Sequence, residues 1–277
     1  MRKKVTKNIN QLGKRLLVFG GVYSNLQALQ QMQNIAKDLG IPAENIICTG
    51  DVVGYCAQPE ECVQAVIDWG IHCIAGNVEI QLREGEEDCG CNFDEGGRCN
   101  LFSRQWYPYA QSQLSKTSIN WMKTLPDFFR FQYGKYKAFV LHGSFHETSE
   151  FIFASTPWSI KQNNFTDTQS SLILAGHCGL PFNQIRGHQY WLNAGVIGMP
   201  ANDGNTEVWY LLLDFLPDGT ISYRHHSYAY DFSTAAELMR ENHLPSAYAH
   251  TLETGIWDNC EILPEQETAL QGKTLSF

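Results

Sequence analysis

The sequence contains no apolar run long enough to form a transmembrane helix or the core of a signal peptide. A basic start, Met1–Lys4, is followed by one short apolar stretch, Leu16–Phe19, whereas a membrane span needs about 20 apolar residues. Positive charge is also scarce, since 20 Lys and Arg face 29 Asp and Glu, a net charge of -9. This balance argues against broad binding to nucleic acid or to an anionic membrane but allows a local phosphate site. The expected location is cytoplasmic.

The number and spacing of the cysteines do not indicate a disulfide framework. The nine cysteines are odd in number and scattered, which is typical of reduced, partly buried thiols. Cys89, Cys91 and Cys99 share one loop-like stretch. Three thiolates and a carboxylate can hold zinc, but this spacing matches no common zinc motif. Free thiols, a redox pair and a zinc site therefore remain three interpretations of the loop.

The chain shows neither an internal repeat nor a clear linker. Its 277 residues suffice for one large domain, and we predict a single domain over 1–277. Within this domain we expect a loose polar arm at 1–14, a loop and helical cap insert at 83–125, and a flexible polar tail at 258–277.

The first third of the chain alternates strand-like and helix-like segments. Arg15–Phe19 is predicted to be a buried strand, and a helix follows with Ser24 or Asn25 as its N-cap. Asn45–Cys48 and Ile71–Ala75 are predicted strands on either side of a second helix. This order predicts an α/β fold with a doubly wound parallel start.

The remainder mixes helices with hairpin strands. Leu101–Leu125 is predicted to be helical with an interruption at Pro108, because proline lacks a backbone donor. Pro217-Asp218-Gly219 predicts a turn between two hairpin strands. The predicted strands are Phe128–Gln132, Ala138–Leu141, Leu172–Ala175, Tyr190–Leu192, Glu207–Phe215 and Ile221–His226, and the predicted terminal helices are Ala235–Glu241 and Ser246–Leu252.

The loop after the first strand lacks the residues that usually carry chemistry there. Between Phe19 and Asn25 there is no carboxylate, histidine or lysine, although α/β enzymes often hold phosphates or metals at this point. Gly20-Gly21 with Ser24 and Asn25 could cradle a phosphate at a helix N-terminus. A tight turn with an N-cap explains the same residues.

Four other strand-like runs end in side chains that bind metals. Asp51, Asn77, His142 and His177 each lie beside a glycine, and the carboxyl ends of strands in an open α/β sheet meet at one edge. One carboxylate, one amide oxygen and two imidazoles form a ligand set for a divalent metal such as Mn, Zn or Fe. The alternative is a relic in which His142 and His177 only form hydrogen bonds near a cleft.

These four residues lie in motifs that follow one another in a fixed order along the chain. Through these motifs the chain resembles the calcineurin-like metallophosphoesterases, in particular the small bacterial and archaeal phosphoesterases of that superfamily. The motifs are Gly50-Asp51 followed by Gly54-Tyr55, Gly76-Asn77, His142-Gly143-Ser144, Gly176-His177 followed by Leu180-Pro181-Phe182, and the run Asn193–Pro200. The resemblance extends from about Arg15 to Phe215. It implies a β-sandwich flanked by helices (α/β/β/α) and a two-metal site at the strand ends.

The chain departs from that family pattern at several ligand positions. Gly21 and Tyr23 stand where the family has Asp-x-His, and Val78 replaces the histidine of Gly-Asn-His. Gly179 replaces the second histidine of Gly-His-x-His. The missing Asp, first His and final His belong to one metal position, whereas the four ligands named above form the other. The resemblance therefore implies one divalent metal (Mn, Zn or Fe), no second metal and no secure catalytic residue.

Five residues near the vacated position are candidates for lining the phosphate or substrate: Gly21, Tyr23, Ser24, Asn25 and Cys178. Tyr23 would either occupy the vacated position and bond to substrate or simply pack. Cys178 would either replace a lost ligand or be an ordinary small buried residue.

These observations predict a phosphoesterase-like protein with an impaired site. Since Val78 offers no proton, we expect little or no phosphodiester turnover. The first hypothesis is a weak phosphoester hydrolase, and the alternative is a non-catalytic relative that binds a phosphate-bearing small molecule or a protein partner. A third hypothesis is a redox- or metal-sensing role of the cysteine loop. We expect no nucleic-acid surface and no membrane contact, and the oligomeric state is not predicted.

Overall fold

The computed structural model describes residues 3–91, 93 and 96–277. The first two residues of the predicted arm, and Asn92, Asp94 and Glu95 of the predicted insert, lie outside the described residues. Within the described ranges, no helix combines the length and the apolar character that crossing a bilayer requires.

Two β-sheets flanked by helices make up the described chain, as predicted. The strands are β1 (Thr6–Asn8), β2 (Arg15–Phe19), β3 (Ile46–Cys48), β4 (His72–Cys73), β5 (Phe128–Tyr133), β6 (Tyr136–Val140), β7 (Leu172–Ala175), β8 (Pro181–Arg186), β9 (Gln189–Ala194), β10 (Val208–Phe215) and β11 (Ile221–Tyr228). The helices are α1 (Leu26–Asp38), α2 (Pro59–Trp69), α3 (Asn77–Glu84), α4 (Arg98–Gln113), α5 (Lys116–Thr124), α6 (Trp158–Thr168), α7 (Phe232–Glu241), α8 (Ser246–Thr254) and α9 (Glu265–Thr268). One sheet has the order β1-β5-β6-β7-β9-β8, and the other has the order β11-β10-β2-β3-β4.

The two sheets share a core through alternate residues of their strands. In β2, Leu16 and Val18 belong to the core between the sheets, together with Leu174 of β7. Leu17 and Phe19 belong instead to the core under the helices. Because successive side chains of a strand point to opposite faces, the four buried residues of β2, Leu16–Phe19, contribute to both layers. α6 covers the outer face of the other sheet, which completes the α/β/β/α layering.

The predicted strand–helix–strand–helix–strand start is confirmed. β2, β3 and β4 pair in parallel, with Val18 opposite Ile47 and Ile47 opposite His72. Of the two predicted caps for α1, Asn25 is the one whose side chain accepts a hydrogen bond from the Ala28 N–H, at 3.1 Å. Since parallel strands end at the same edge, the loops after β2, β3 and β4 lie side by side there.

The predicted helical character of 101–125 is confirmed, but the predicted interruption is displaced. α4 continues through Pro108, and the break lies at Leu114 and Ser115. The Ser115 hydroxyl accepts a hydrogen bond from the Ser118 N–H at 3.1 Å, so it begins a new helix as an N-cap. Capping at Ser115, rather than the missing donor of Pro108, therefore decides where the segment divides.

Both ends of the chain pack on the sheets, which differs from the predicted loose arm and flexible tail. β1 pairs in parallel with Phe128–Arg130 at the edge of its sheet. In the tail, Glu267 accepts hydrogen bonds from Ser155, and Phe277 stacks on His225. The polar composition of these segments concealed the backbone pairing and ring contacts that hold them.

Candidate metal centre

Four loops at the carboxyl edge of the strands bring the predicted ligands together. Asp51 follows β3, Asn77 begins α3 after β4, His142 follows β6, and His177 follows β7. All four side chains are buried. Asp51 and His177 adopt positive φ angles of 58° and 63°, a conformation that is rare outside glycine and that aims these side chains toward the edge of the sheet.

His142 lies at the centre of the group. Its Nε2 atom is 3.1 Å from Asp51 Oδ2, 3.1 Å from Asn77 Oδ1 and 3.0 Å from His177 Nδ1. One ligand atom from each of Asp51, His142 and His177 lies within 4.8 Å of the others. Ligand atoms about 3 Å apart are the spacing expected around an ion held at about 2.1 Å.

The hydrogen bonds of the two imidazoles fix their tautomers. His142 Nδ1 is 2.6 Å from the carbonyl oxygen of Thr49, and His177 Nε2 is 3.0 Å from the carbonyl oxygen of Ser149. A carbonyl oxygen only accepts, so each of these nitrogens carries the hydrogen. In the neutral rings, His142 Nε2 and His177 Nδ1 therefore direct lone pairs at each other. With Asp51 Oδ2 and Asn77 Oδ1 beside them, these two nitrogens form a donor set that fits a divalent metal.

Burial and neighbouring charges both shift the pKa values of His177, His142 and Asp51. Burial, together with the nearby His142, lowers the pKa of His177 to about 3. Burial alone would lower the pKa of His142, but the adjacent Asp51 carboxylate raises it above its usual value. Conversely, burial would raise the pKa of Asp51, whereas His142 lowers it overall. His177 is thus held neutral, as a metal ligand must be.

The amide of Asn77 is oriented by the cysteine loop. Its Nδ2 atom donates to the Cys89 carbonyl oxygen at 2.8 Å and to Cys91 Sγ at 3.1 Å. These two contacts leave Oδ1 facing His142 and the ligand group. An oriented amide oxygen is the form in which Asn can act as a metal ligand.

Glu79 supports the site, although the sequence analysis did not single it out. Its buried carboxylate accepts hydrogen bonds from the backbone N–H of Asp51 at 2.8 Å, Val53 at 3.1 Å and Gly76 at 2.9 Å. Burial and the neighbouring Asp51 raise its pKa to about 7 despite these donors. The available signal was its place at the third position of α3, where acidic residues cap a helix start. Glu79 ties the loop carrying Asp51 to the helix carrying Asn77.

The space beside Gly21 is filled by Tyr23. A Cβ atom on Gly21 would lie 2.4 Å from Tyr23 Cε1, so a side chain there and the present position of the phenol exclude each other. Cβ atoms added to Gly54 and Gly198 would also lie too close to Tyr23, at 2.8 Å and 2.6 Å from its nearest atoms. The buried tyrosine ring therefore stands where the family resemblance expects an aspartate side chain.

The space beside Gly179 is filled in the same way. A Cβ atom there would lie 3.1 Å from Trp257 Cη2, and Gly179 has a φ of 79°, which disfavours any other residue. The Trp257 indole donates to the Pro200 carbonyl oxygen at 2.8 Å, so the ring is fixed. Val78 is also buried, and its N–H donates to Asp51 Oδ1 at 3.3 Å. The sequence analysis missed Trp257 because it lies some 80 residues from the strand end that it covers.

Ser24 and Asn25 are engaged in the fold rather than directed at a ligand. Ser24 Oγ accepts from the Gly54 N–H at 3.0 Å. Asn25 caps α1 and donates from Nδ2 to the Gly198 carbonyl oxygen at 3.2 Å and the Tyr230 hydroxyl at 3.1 Å. These contacts favour the interpretation of the first loop as a tight turn with an N-cap.

The cysteines do not form a second metal centre in the described residues. Among these, the group Asp51, His142 and His177 is the one cluster of His, Cys, Asp or Glu with suitable spacing. Cys99 lies beside Asn259, at 3.4 Å from Oδ1. Cys178 accepts from Asn193 Nδ2 at 3.3 Å, and burial raises its pKa to about 12. Cys178 is therefore a protonated, packed thiol at the cavity wall.

A cavity lies beside two of the candidate ligands. Asp51 and His177 form part of its wall, together with the sulfur-bearing side chains of Cys91, Cys99 and Cys178. Rings supply much of the rest, namely Tyr23, Tyr55, Phe93, Phe151, Tyr248 and Trp257. The cavity thus exposes Asp51 and His177 to a space walled mainly by rings.

Comparison with known proteins gives a family match over most of the chain. The calcineurin-like phosphoesterase superfamily domain matches residues 15–216. An uncharacterized protein from Methanocaldococcus jannaschii is 25% identical over 257 residues, covering 87% of this chain and 98% of that protein.

Two solved structures are similar over their whole length. A metallophosphoesterase from Sphaerobacter thermophilus superposes with a TM-score of 0.67 at 25% identity, covering 87% of this chain and 99% of that chain. A hypothetical protein from Pyrococcus horikoshii superposes with a TM-score of 0.73 at 17% identity, covering 89% and 100%. The second likeness concerns the fold alone.

Proposed function

Because this chain belongs to the calcineurin-like phosphoesterase superfamily, we propose that it binds one divalent metal through Asp51, Asn77, His142 and His177 and acts on phosphoesters as a weak hydrolase. The observation that carries this proposal is the pair of facing imidazole nitrogens, 3.0 Å apart, whose outer nitrogens both donate to carbonyl oxygens. When both rings are neutral, these two nitrogens and the Asp51 carboxylate offer a cation three converging donor atoms.

The metal would supply the electrophilic part of the chemistry. A divalent cation bound there would polarise a phosphoryl oxygen and lower the pKa of a coordinated water. The carbonyl oxygens of Thr49 and Ser149 would orient the two imidazoles. The aromatic side chains that line the cavity would exclude water from the metal.

The proposed site lacks an efficient proton donor for the leaving group. Val78 stands where the family resemblance expects a histidine that serves the leaving group, and it has no titratable atom. Tyr23 lines the cavity, and burial raises its pKa well above the usual value, so its phenol can donate a hydrogen bond but gives up a proton poorly. Loss of a general acid costs about 10²–10⁴ in rate, so we expect slow turnover.

A non-catalytic role as a phosphate-ligand binder is the second candidate. It is favoured by the rings of Tyr23 and Trp257, which fill the space beside Gly21 and Gly179. Two metals normally brace the attacking and leaving oxygens together, and this filled space leaves no room for the side chains that would hold the second one.

Metal analysis tests the site directly. The protein, purified with added manganese, is expected to retain about one metal ion per chain, and Asp51→Ala and His177→Ala are expected to lose it. Asp38→Ala and His188→Ala, at exposed positions of the same residue types, serve as matched controls. Metal-free native protein, or retention in both site variants, would overturn the proposed site.

A phosphodiester assay then separates the two candidates. Manganese-dependent turnover that disappears in Asp51→Ala supports the hydrolase. Bound manganese without turnover above the uncatalysed rate supports the non-catalytic binder. Turnover that survives Asp51→Ala places the activity elsewhere and contradicts the first candidate.

A further inference from the structure

Two thiols beside the proposed metal site lie close to each other in a tight turn. Gly90, between Cys89 and Cys91, has a φ of 67°, a conformation that favours glycine. The Gly90 N–H donates to Asp88 Oδ1 at 2.7 Å, which holds the turn. The two thiol groups are near enough to interact directly. Cα atoms separated by one residue lie at most about 7 Å apart, and a tight turn shortens this separation into the range that a disulfide spans.

The two thiols differ in their access to small molecules. Cys91 is half-buried and lines the cavity beside Asp51 and His177, whereas Cys89 is buried. The free space of this cavity is about 70 Å³, enough for a few molecules the size of water. A small oxidant such as hydrogen peroxide can therefore reach Cys91 first, and Cys89 is placed behind it to react second.

Two further thiols line the same cavity, those of Cys99 and Cys178. Cys99 Sγ is 3.4 Å from Asn259 Oδ1, and Cys178 Sγ accepts a hydrogen bond from a side chain of β9. The thiol that interacts with Cys91 is that of Cys89. The geometry therefore favours Cys89 as the partner of Cys91 in a disulfide.

The sulfur of Cys91 also helps to hold the Asn77 amide. Asn77 Nδ2 donates to Cys91 Sγ at 3.1 Å and to the Cys89 carbonyl oxygen at 2.8 Å, while Oδ1 lies 3.1 Å from His142 Nε2. A disulfide places its two sulfurs about 2.05 Å apart, so its formation draws Cys91 Sγ toward Cys89. One of the two acceptors that orient Asn77 is then displaced, and the loss of such an orienting partner lowers metal affinity by about 10–100-fold.

We propose that Cys89 and Cys91 are a peroxide-sensitive dithiol whose oxidation to a disulfide weakens metal binding through Asn77. Hydrogen peroxide oxidises the Cys91 thiol to a sulfenic acid and leaves as one water. The Cys89 sulfur then bonds to the Cys91 sulfur, and the hydroxyl leaves with the Cys89 proton as a second water. One peroxide thus takes two electrons and two protons from the two thiols, and a dithiol reductant reverses the step by exchange. The effect on the metal rests on the proposed function, whereas the disulfide does not.

Peptide mapping tests the disulfide in the native protein without any variant. The tryptic peptide 84–98 contains Cys89 and Cys91 and no other cysteine. After treatment of the metal-free protein with hydrogen peroxide, removal of the peroxide and alkylation, we expect this peptide two hydrogens lighter and unalkylated. Dithiothreitol should restore its two alkylation sites. A disulfide to Cys99 or Cys178, sulfinic acid at Cys91 beside a free Cys89, or an unreacted Cys91 would overturn the inference.

Manganese titration of the same samples tests the link to Asn77. The oxidised native protein, freed of peroxide, is expected to bind manganese about tenfold more weakly than the reduced protein, and reduction with dithiothreitol, removed before the titration, should restore the affinity. Cys99→Ser is the matched control, because Cys99 is also a half-buried thiol of the cavity wall, and it should respond like the native protein. Unchanged affinity in protein that carries the disulfide would overturn the link.

Cys89→Ser separates the disulfide from other oxidation of Cys91. This variant retains the cavity thiol but cannot form the pair, so its manganese affinity should show no change that dithiothreitol reverses. A reversible change as large as that of the native protein would contradict the inference. If Cys89→Ser does not fold, the comparison of oxidised with reduced native protein still decides.

The two readouts keep this inference apart from the proposed function. If manganese binds to the reduced protein and peptide 84–98 forms no disulfide, the metal site stands and the dithiol inference fails. If the reduced protein binds no manganese, the proposed metal function fails, and the peptide map alone decides whether Cys89 and Cys91 are a redox pair.

Discussion

At the scale of single residues, the proposed metal site depends on how each imidazole is hydrogen-bonded at its outer nitrogen. Thr49 and Ser149 contribute only carbonyl oxygens, yet these atoms decide which nitrogen of His142 and of His177 can bind a cation. Glu79 acts in the same indirect way, since it holds the N–H groups of Asp51 and Gly76. The residues that orient the candidate ligands are therefore as necessary to the proposed site as the candidate ligands are.

His225, outside the ligand group, gives a pH-dependence that can be isolated. Burial lowers its pKa to about 4, and its Nε2 atom is 2.7 Å from the Asn193 carbonyl oxygen. Between pH 6.5 and about 4 the unfolded chain binds a proton that folded His225 does not. The stability associated with the neutral ring is therefore present above pH 6.5 and is lost as the pH falls through this window.

We predict that the native protein loses about 2–3 kcal/mol more unfolding free energy than His225→Gln between pH 7.5 and 4.5. Glutamine can still donate to Asn193 but does not titrate. Urea unfolding of chelated protein at both pH values measures the difference, and His188→Gln, at an exposed position, should behave like the native protein. Parallel pH profiles for the native protein and His225→Gln would contradict the prediction.

Gly21 and Tyr23 form a residue pair whose coupling is measurable. An added Cβ atom on Gly21 would meet the Tyr23 ring at 2.4 Å, so Gly21→Ala should destabilise the fold by about 1–3 kcal/mol through overpacking. In a Tyr23→Ala background the same change should cost clearly less. Chemical unfolding of both single variants and the double variant gives this coupling. Strictly additive losses would mean that Tyr23 does not fill the space beside Gly21.

At the scale of elements, the site is built from the loops that follow parallel strands and from the first turn of α3. Gly76 precedes this helix, and the Glu79 side chain accepts the Gly76 N–H, which fixes where Asn77 begins the helix. The loop after β2 is held differently, because Asn25 both caps α1 and donates across to Gly198 and Tyr230. Side chains at helix starts therefore fix the backbone at the beginning of α1 and of α3.

Removal of the α1 cap should be costly. Asn25→Ala deletes the bond to the Ala28 N–H and leaves the buried Gly198 carbonyl without this donor, so we expect a loss of about 2 kcal/mol in unfolding free energy. Thermal or urea unfolding provides the measurement. Asn34→Ala, at an exposed position of the same helix, should change stability by less than about 0.5 kcal/mol. Similar effects of the two substitutions would show that the cap contributes little.

At the scale of the whole molecule, the two sheets hold the ligands of one cluster. Asp51 and Asn77 come from loops of the sheet containing β2, whereas His142 and His177 come from loops of the other sheet. A bound cation would therefore link the two sheets, and it would stabilise the folded state in proportion to its occupancy.

Manganese should accordingly raise the melting temperature. With free manganese at about 100 times the dissociation constant, the expected stabilisation is about 2.7 kcal/mol, or a shift of several degrees for a chain of this size. Differential scanning calorimetry with and without chelator measures it. The shift should be absent in Asp51→Ala and present in His188→Ala; an equal shift in Asp51→Ala would point to binding elsewhere.

Much of the architecture follows from local sequence pattern. The segments Arg15–Phe19 and Leu172–Ala175 become strands with the predicted bounds, because the apolar runs Leu16–Phe19 and Leu172–Ala175 are buried on both faces. The helix from Leu26 follows from apolar spacing and its cap at Asn25, and the helix from Ser246 was also predicted. β1, β8 and α6 were not predicted, since their polar or mixed composition carries no clear period. Pairing with a neighbouring strand holds β1 and β8 in place, and α6 is held by packing through residues such as Phe165.

The sequence by itself determined the family, the sandwich of two sheets and the identity of the four candidate ligands, because these depend on motifs and periodicities that local chain segments carry. Only the tertiary structure decided that Asn25 is the residue that caps α1, that Glu79 accepts from the backbone of the loop carrying Asp51, and that Tyr23 and Trp257 fill the space beside Gly21 and Gly179. Those outcomes are set by contacts between residues far apart in the chain. No local pattern encodes such contacts, since each arises where two separately folded loops meet.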